Sequence, residues 1–102
     1  MIKEEKISSL LGLAQKAGKV ASGELTVEKA IQAGRAKLLL IAVDCSKGTT
    51  KKYTDMAAYY GVEIYEMFSK ERLGQSIGKI HRAALAITDV GFANAIRKLC
   101  DS

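Results

Sequence analysis

His81 is the one imidazole in this sequence, and it stands in a basic stretch, Lys79-Ile80-His81-Arg82, with no carboxylate or thiol beside it. A general base needs such a partner nearby or brought to it by folding; without one, a histidine among cations is a surface residue. The pair Asp44-Cys45 follows an apolar run, Leu38 to Val43. Open α/β sheets take ligands at the carboxyl ends of their strands, so this carboxylate and thiol could meet a substrate there, although Asp44 can equally cap the loop with its own side chain. Gly12, Gly18 and Gly23 lack the spacing of a dinucleotide loop, and neither Gly-Lys-Ser nor Gly-Lys-Thr occurs. Cys45 and Cys100 have no C-x-x-C spacing and no neighbouring histidine, so free buried thiols are expected rather than a zinc site or a disulfide framework. No catalytic, cofactor or metal residues are assigned, and a small enzyme built on Asp44, Cys45 or His81 ranks third among the readings.

Charge points elsewhere. Lysine and arginine total 16 against 11 aspartate and glutamate, a formal net charge of +5, which suits an anionic partner such as nucleic acid. The cations form two groups, Lys16, Lys19, Lys29, Arg35 and Lys37 in the first half and Lys79 and Arg82 in the second. Scattered lysines also serve simply as a solvated face. Ile80 is the odd member of its stretch: an apolar side chain in a basic loop opened by a glycine either stacks beneath an unpaired base or anchors the loop to the core. Gly23 likewise either lets a backbone approach a partner or merely permits a turn.

The elements that must position these residues alternate along the chain. Ile7, Leu10, Leu11, Ala14 and Ala17 follow helical spacing, predicting a helix over 3–17 closed by Gly18, with a brief strand at 19–22. A second helix, from Glu24 or Leu25 to Ala33, turns Val27, Ala30 and Ile31 inward and leaves its first-turn amides unpaired at the positive end of the helix dipole. Leu38 to Val43 reads as a central strand covered on both faces. Thr49 is expected to cap a third helix that Gly61 ends, followed by a strand at 62–67 and a short helical turn, KERLG, capped by Ser69. Gly74 and Gly78 bracket an expected loop, before a strand from Ala83 to Thr88 and a closing helix from Gly91 to Leu99. This order predicts an α/β domain, a three-layer α/β/α sandwich with a central four-stranded mixed sheet, spanning 1–102. The apolar runs are too short for a bilayer, and the acidic residues of MIKEEKISSLLGLAQ do not suit a secretory signal, so a cytoplasmic protein is expected.

Ser22-Gly23 with Lys29 beyond it, AGRAKLLLIAVDCS at 33–46, SKERLGQSIGK at 69–79 and AITDVGFAN at 86–94 carry a likeness that covers nearly the whole chain. In these segments the sequence resembles the kink-turn RNA-binding ribosomal proteins of the archaeal seven-Ae and eukaryotic thirty-e type, particularly their small bacterial YlxQ-like branch. The resemblance implies the three-layer sandwich and binding to a sharply bent RNA duplex whose kink is flanked by sheared G·A pairs. By position, Gly23 matches the glycine opening the RNA-contacting helix and Lys29 its lysine. Lys79, Ile80, His81 and Arg82 fall in the loop that covers the bulged nucleotides. The family's Asn and Glu positions hold Leu25 and Thr26 here, Glu24 lies one residue early, and Ala33 replaces an arginine. Leu25 has no side-chain hydrogen bond to offer, and Thr26 offers one hydroxyl in place of a carboxylate.

The implied RNA-binding residues are Gly23, Glu24, Leu25, Thr26, Lys29, Lys79, Ile80, His81 and Arg82. The function expected is non-enzymatic recognition and stabilisation of kink-turn RNA, including ribosomal RNA, by a monomer needing no cofactor. The alternative is a protein-interaction or ribosome-associated adaptor that keeps the fold without kink-turn specificity.

Overall fold

The computed structural model describes residues 2–102. Its elements run α1 (Lys3–Lys16), β1 (Val20–Ser22), α2 (Glu24–Gln32), β2 (Leu38–Ile41), α3 (Lys47–Tyr60), β3 (Ile64–Glu66), α4 (Lys70–Ser76), β4 (Ala84–Ile87) and α5 (Val90–Asp101). The four strands lie in the order β1-β4-β2-β3. β4 is antiparallel to both β1 and β2, and β2 is parallel to β3, so β1, β2 and β3 point the same way and β4 runs against them.

Strand periodicity sorts the core into two layers. Leu38 and Leu40 of β2 and Leu85 and Ile87 of β4 face Ile7, Leu11, Leu73, Ala93 and Ile96 of α1, α4 and α5. Leu39 and Ile41, with Ala84 and Ala86, face Val27, Ala30 and Ile31 of α2 and Tyr53 and Ala57 of α3. β4 brings only alanines to that second face, so the bulk there comes from Ile31 and Tyr53, both buried. Each such fully buried large side chain contributes about 1.5–3 kcal/mol. The expected sandwich and mixed sheet are therefore present, and the unalternated apolar run of β2 is covered on both faces as expected.

Several boundaries differ from expectation, each for a tertiary or capping reason. Ser46, not Thr49, caps α3: its hydroxyl accepts from the Thr49 amide at 3.1 Å, which puts Thr49 inside the first turn. β2 stops at Ile41: the Ala42 amide still bonds the Ala83 carbonyl in the register of β4, but the Val43 amide turns to the Phe68 carbonyl beyond β3. The helical turn KERLG is present as expected, but α4 runs past Gly74 to Ser76, so Gln75 and Ser76 of the expected loop are helical. Ser69 caps that helix as expected, accepting from Arg72 N at 3.0 Å. β3 is shorter than the alternation suggested, and α5 starts one residue early on an Asp89 cap to Phe92 N at 2.9 Å.

Candidate nucleic-acid interface

The shared direction of β1, β2 and β3 sends their carboxyl ends, and hence the starts of α2, α3 and α4, to one edge of the molecule. Gly23 makes the turn from β1 into α2 with φ +89° and ψ 141°, a region open to glycine. No side chain caps α2; the first amide to find a helical partner is that of Val27, bonded to the Gly23 carbonyl at 2.9 Å. The amides of Glu24, Leu25 and Thr26 are thus the unpaired donors of a helix start. The antiparallel register that sets Ser22 opposite Leu85 brings the segment before β4 alongside this turn.

That segment, 78–82, is held at both ends. Lys79 N donates to the Gly74 carbonyl at 2.8 Å and Arg82 N to the Lys70 carbonyl at 3.0 Å. A Cβ at Gly74 would fall 1.3 Å from the Ile80 carbonyl oxygen, so the missing side chain is what lets the loop lie on α4. With its backbone seated, Ile80 turns its side chain outward and is 79% exposed, which removes the core-anchor reading of this residue. Leu25 at 65% and Val43 at 57% exposure give the same edge further apolar surface. His81 is exposed, and its side chain makes no hydrogen bond among the described residues; Arg82 donates to the His81 carbonyl at 2.8 Å while its Nε lies buried without a partner.

The two acids of α2 are drawn to one side of that helix. Lys52 of α3 pairs with both Glu24 and Glu28, at 3.2 Å from the latter, fastening both carboxylates of α2 to its α3 side. The Glu24 partnership holds the Lys52 ammonium's pKa above its ordinary value. Lys29, by contrast, is exposed and makes no ion pair among the described residues. Sequence reasoning missed Lys52; the Glu24 and Glu28 spacing shows a paired acidic face, but nothing local says which cation meets it.

Of the residues considered for covalent or acid–base chemistry, Asp44 and Cys45 have structural employment. Asp44 accepts the Lys70 amide at 2.9 Å, joining the loop after β2 to the start of α4. Cys45 directs its thiol to the Ala83 carbonyl at 3.6 Å, and burial pushes its pKa up, away from the reactive thiolate. Both cysteines are half-buried and free rather than fully buried. Among the described residues, no group of His, Cys, Asp and Glu could hold a metal ion.

The sequence profile of the Ribosomal protein L7Ae/L30e/S12e/Gadd45 family matches residues 5–97. RNA-binding protein YlxQ of Bacillus subtilis (strain 168) is 50% identical over 92 residues, which cover 90% of this chain and 92% of that protein. A solved structure of a protein with unknown function from Bacillus halodurans C superposes with a TM-score of 0.91 at 34% identity, covering 95% of this chain and 98% of that one. The Giardia lamblia 15.5kD RNA binding protein shares the fold at a TM-score of 0.80 and 16% identity, covering 97% of this chain and 85% of its own. With the match spanning nearly every element from α1 to α5, the chain belongs to the ribosomal protein L7Ae/L30e/S12e/Gadd45 family.

Proposed function

We propose that this protein binds structured RNA in the cytoplasm as a ribosomal-protein-like factor, and that its target is a kinked duplex, including kinks in ribosomal RNA. The observation that carries this reading is the uncapped first turn of α2 lying beside the fixed 78–82 loop with Ile80 exposed. The amides of Glu24, Leu25 and Thr26 donate to base-edge or phosphate oxygens in the opened groove, and the Thr26 hydroxyl adds one more polar contact. Gly23 keeps the approach clear, since nothing stands within 4 Å of where its Cβ would be. Ile80, aided by Leu25, lies against a base extruded from the stack, while Lys29, Lys79, His81 and Arg82 face the backbone. The names of the B. subtilis and Giardia proteins support RNA as the ligand. Because the protein surface is preformed, binding draws a pre-existing bent population of RNA out of its equilibrium with the straight form.

A second reading has one observation in its favour: the 65% exposed Leu25 places an apolar side chain at the helix start, which suits a protein partner as well as a nucleobase. Titrating labelled kink-turn RNA at two salt concentrations, beside the same RNA with its G·A pairs changed to Watson–Crick pairs, separates the two. Much tighter binding to the kinked RNA is expected. Equal, steeply salt-dependent binding to both would mean generic phosphate attraction and put the adaptor first.

A further inference from the structure

The edge described above does not end at the first turn of α2. A groove of about 210 Å³ opens between β1 and α2, and Thr26, in the proposed RNA-contacting turn, is one of its walls. From there it passes Ala21 and Ala30 and reaches Thr88 and Arg35. α2 rises about 1.5 Å per residue, so on the order of 10 Å separates Thr26 from the helix end, which makes a track rather than a pocket for one ion. β1 is an edge strand, and no other described strand pairs with its outer side.

Charge is sorted around this groove. Both acids of α2 are turned to the opposite side of the helix and held by Lys52. Asp89, next to Thr88, is turned into α5 as its cap and bonds Phe92 N at 2.9 Å. Arg35 is exposed and has no acidic partner among the described residues, and Lys19, following the groove's Gly18, is exposed in the same way. The lining therefore offers an arginine and two threonine hydroxyls, the donor set of a phosphodiester, with no carboxylate directed into it.

We infer that one strand of the bound RNA continues past the kink along this groove, its phosphates held by Thr26, Thr88 and Arg35 and attracted by Lys19. The inference rests on the RNA reading given above. It assigns the β1 side of α2 to the flanking stem and leaves the 78–82 loop to the kink itself.

The experiment compares wild type, Arg35→Gln and Lys98→Gln on a kinked RNA with full-length stems and on versions shortened on one side or the other. Arg35 makes no side-chain hydrogen bond or ion pair among the described residues, so its replacement leaves the fold intact, and Lys98 lies on α5 across the sheet as a control. Arg35→Gln is expected to weaken binding to the full-length RNA about three- to fivefold and to lower the slope of log affinity against log salt by just under one. Shortening one particular stem should abolish that difference, and Lys98→Gln should change nothing. An unchanged affinity and slope for Arg35→Gln, or an equal loss on every RNA length, overturns the track. If the kinked and Watson–Crick RNAs bind alike while the Arg35 effect still depends on stem length, kink recognition fails and the track stands.

Discussion

Gly74 and Gly23 use the same missing side chain to opposite ends. At Gly74 an added Cβ would meet backbone, 1.3 Å from the Ile80 oxygen and 2.5 Å from its carbonyl carbon, so Gly74→Ala must lift the 78–82 loop off α4. The expected cost is about 1–3 kcal/mol in urea denaturation, with RNA binding falling alongside. At Gly23 there is room for a methyl group but the backbone conformation disfavours it, which costs roughly 1–2 kcal/mol. That methyl would stand where the ligand approaches, so Gly23→Ala should lose more RNA affinity than stability, measured by the same two assays. Lys29→Ala, the loss of an exposed unpaired cation, should leave stability within about 0.5 kcal/mol and flatten the salt dependence of RNA binding by about one unit of slope. Unchanged affinity and slope would mean the RNA edge lies elsewhere.

Among the elements, the β3 edge is fastened to α5 by polar contacts as well as by the core cluster to which Ile96 belongs and against which Tyr65 packs. Tyr65 shares its hydroxyl between Glu63 at 2.6 Å and Asp101 at 2.7 Å, and Glu63 also pairs with Arg97. The tyrosine hydroxyl, and then Arg97, hold the Glu63 carboxyl below its ordinary pKa. A carboxyl whose folded pKa is lowered contributes its stabilisation fully above the usual carboxylate range, near 4.3, and loses it as pH falls through the lowered value. Glu63→Gln should therefore reduce the thermal midpoint slightly at about pH 7, with the difference from wild type shrinking near pH 3. At this scale the sequence was readable wherever a pattern was local. The apolar run of β2, the Ser69 cap and the amphipathic face of α5 are where they were expected. Gln75 and Ser76 fell to the expected loop because a glycine in a sequence reads first as a helix end, whereas Gly74 serves a contact with a loop brought against α4 by folding. Ser46 and Thr49 have equivalent capping oxygens, and which one caps depends on where the chain leaves Asp44, a residue tied to α4.

For the molecule as a whole, alternation of helix and strand gave the layers but not the strand order. The placement of β4 between β1 and β2 is what brings the 78–82 loop beside Gly23, residues far apart in the chain. The candidate site rests on the family likeness, while Lys52's two-acid grip and the groove along β1 emerge only when separate elements meet. No helix among the described residues is long and apolar enough to cross a membrane. The loop fastened to Gly74 and Lys70 carries one more implication. A surface already frozen before its ligand arrives has little configurational freedom left to surrender, so the heat-capacity change on association would come from apolar area covered at Leu25 and Ile80 and from the RNA's own rearrangement. Calorimetry across temperatures would then report chiefly on the nucleic acid, with this protein acting as a mould whose shape is the constant of the measurement.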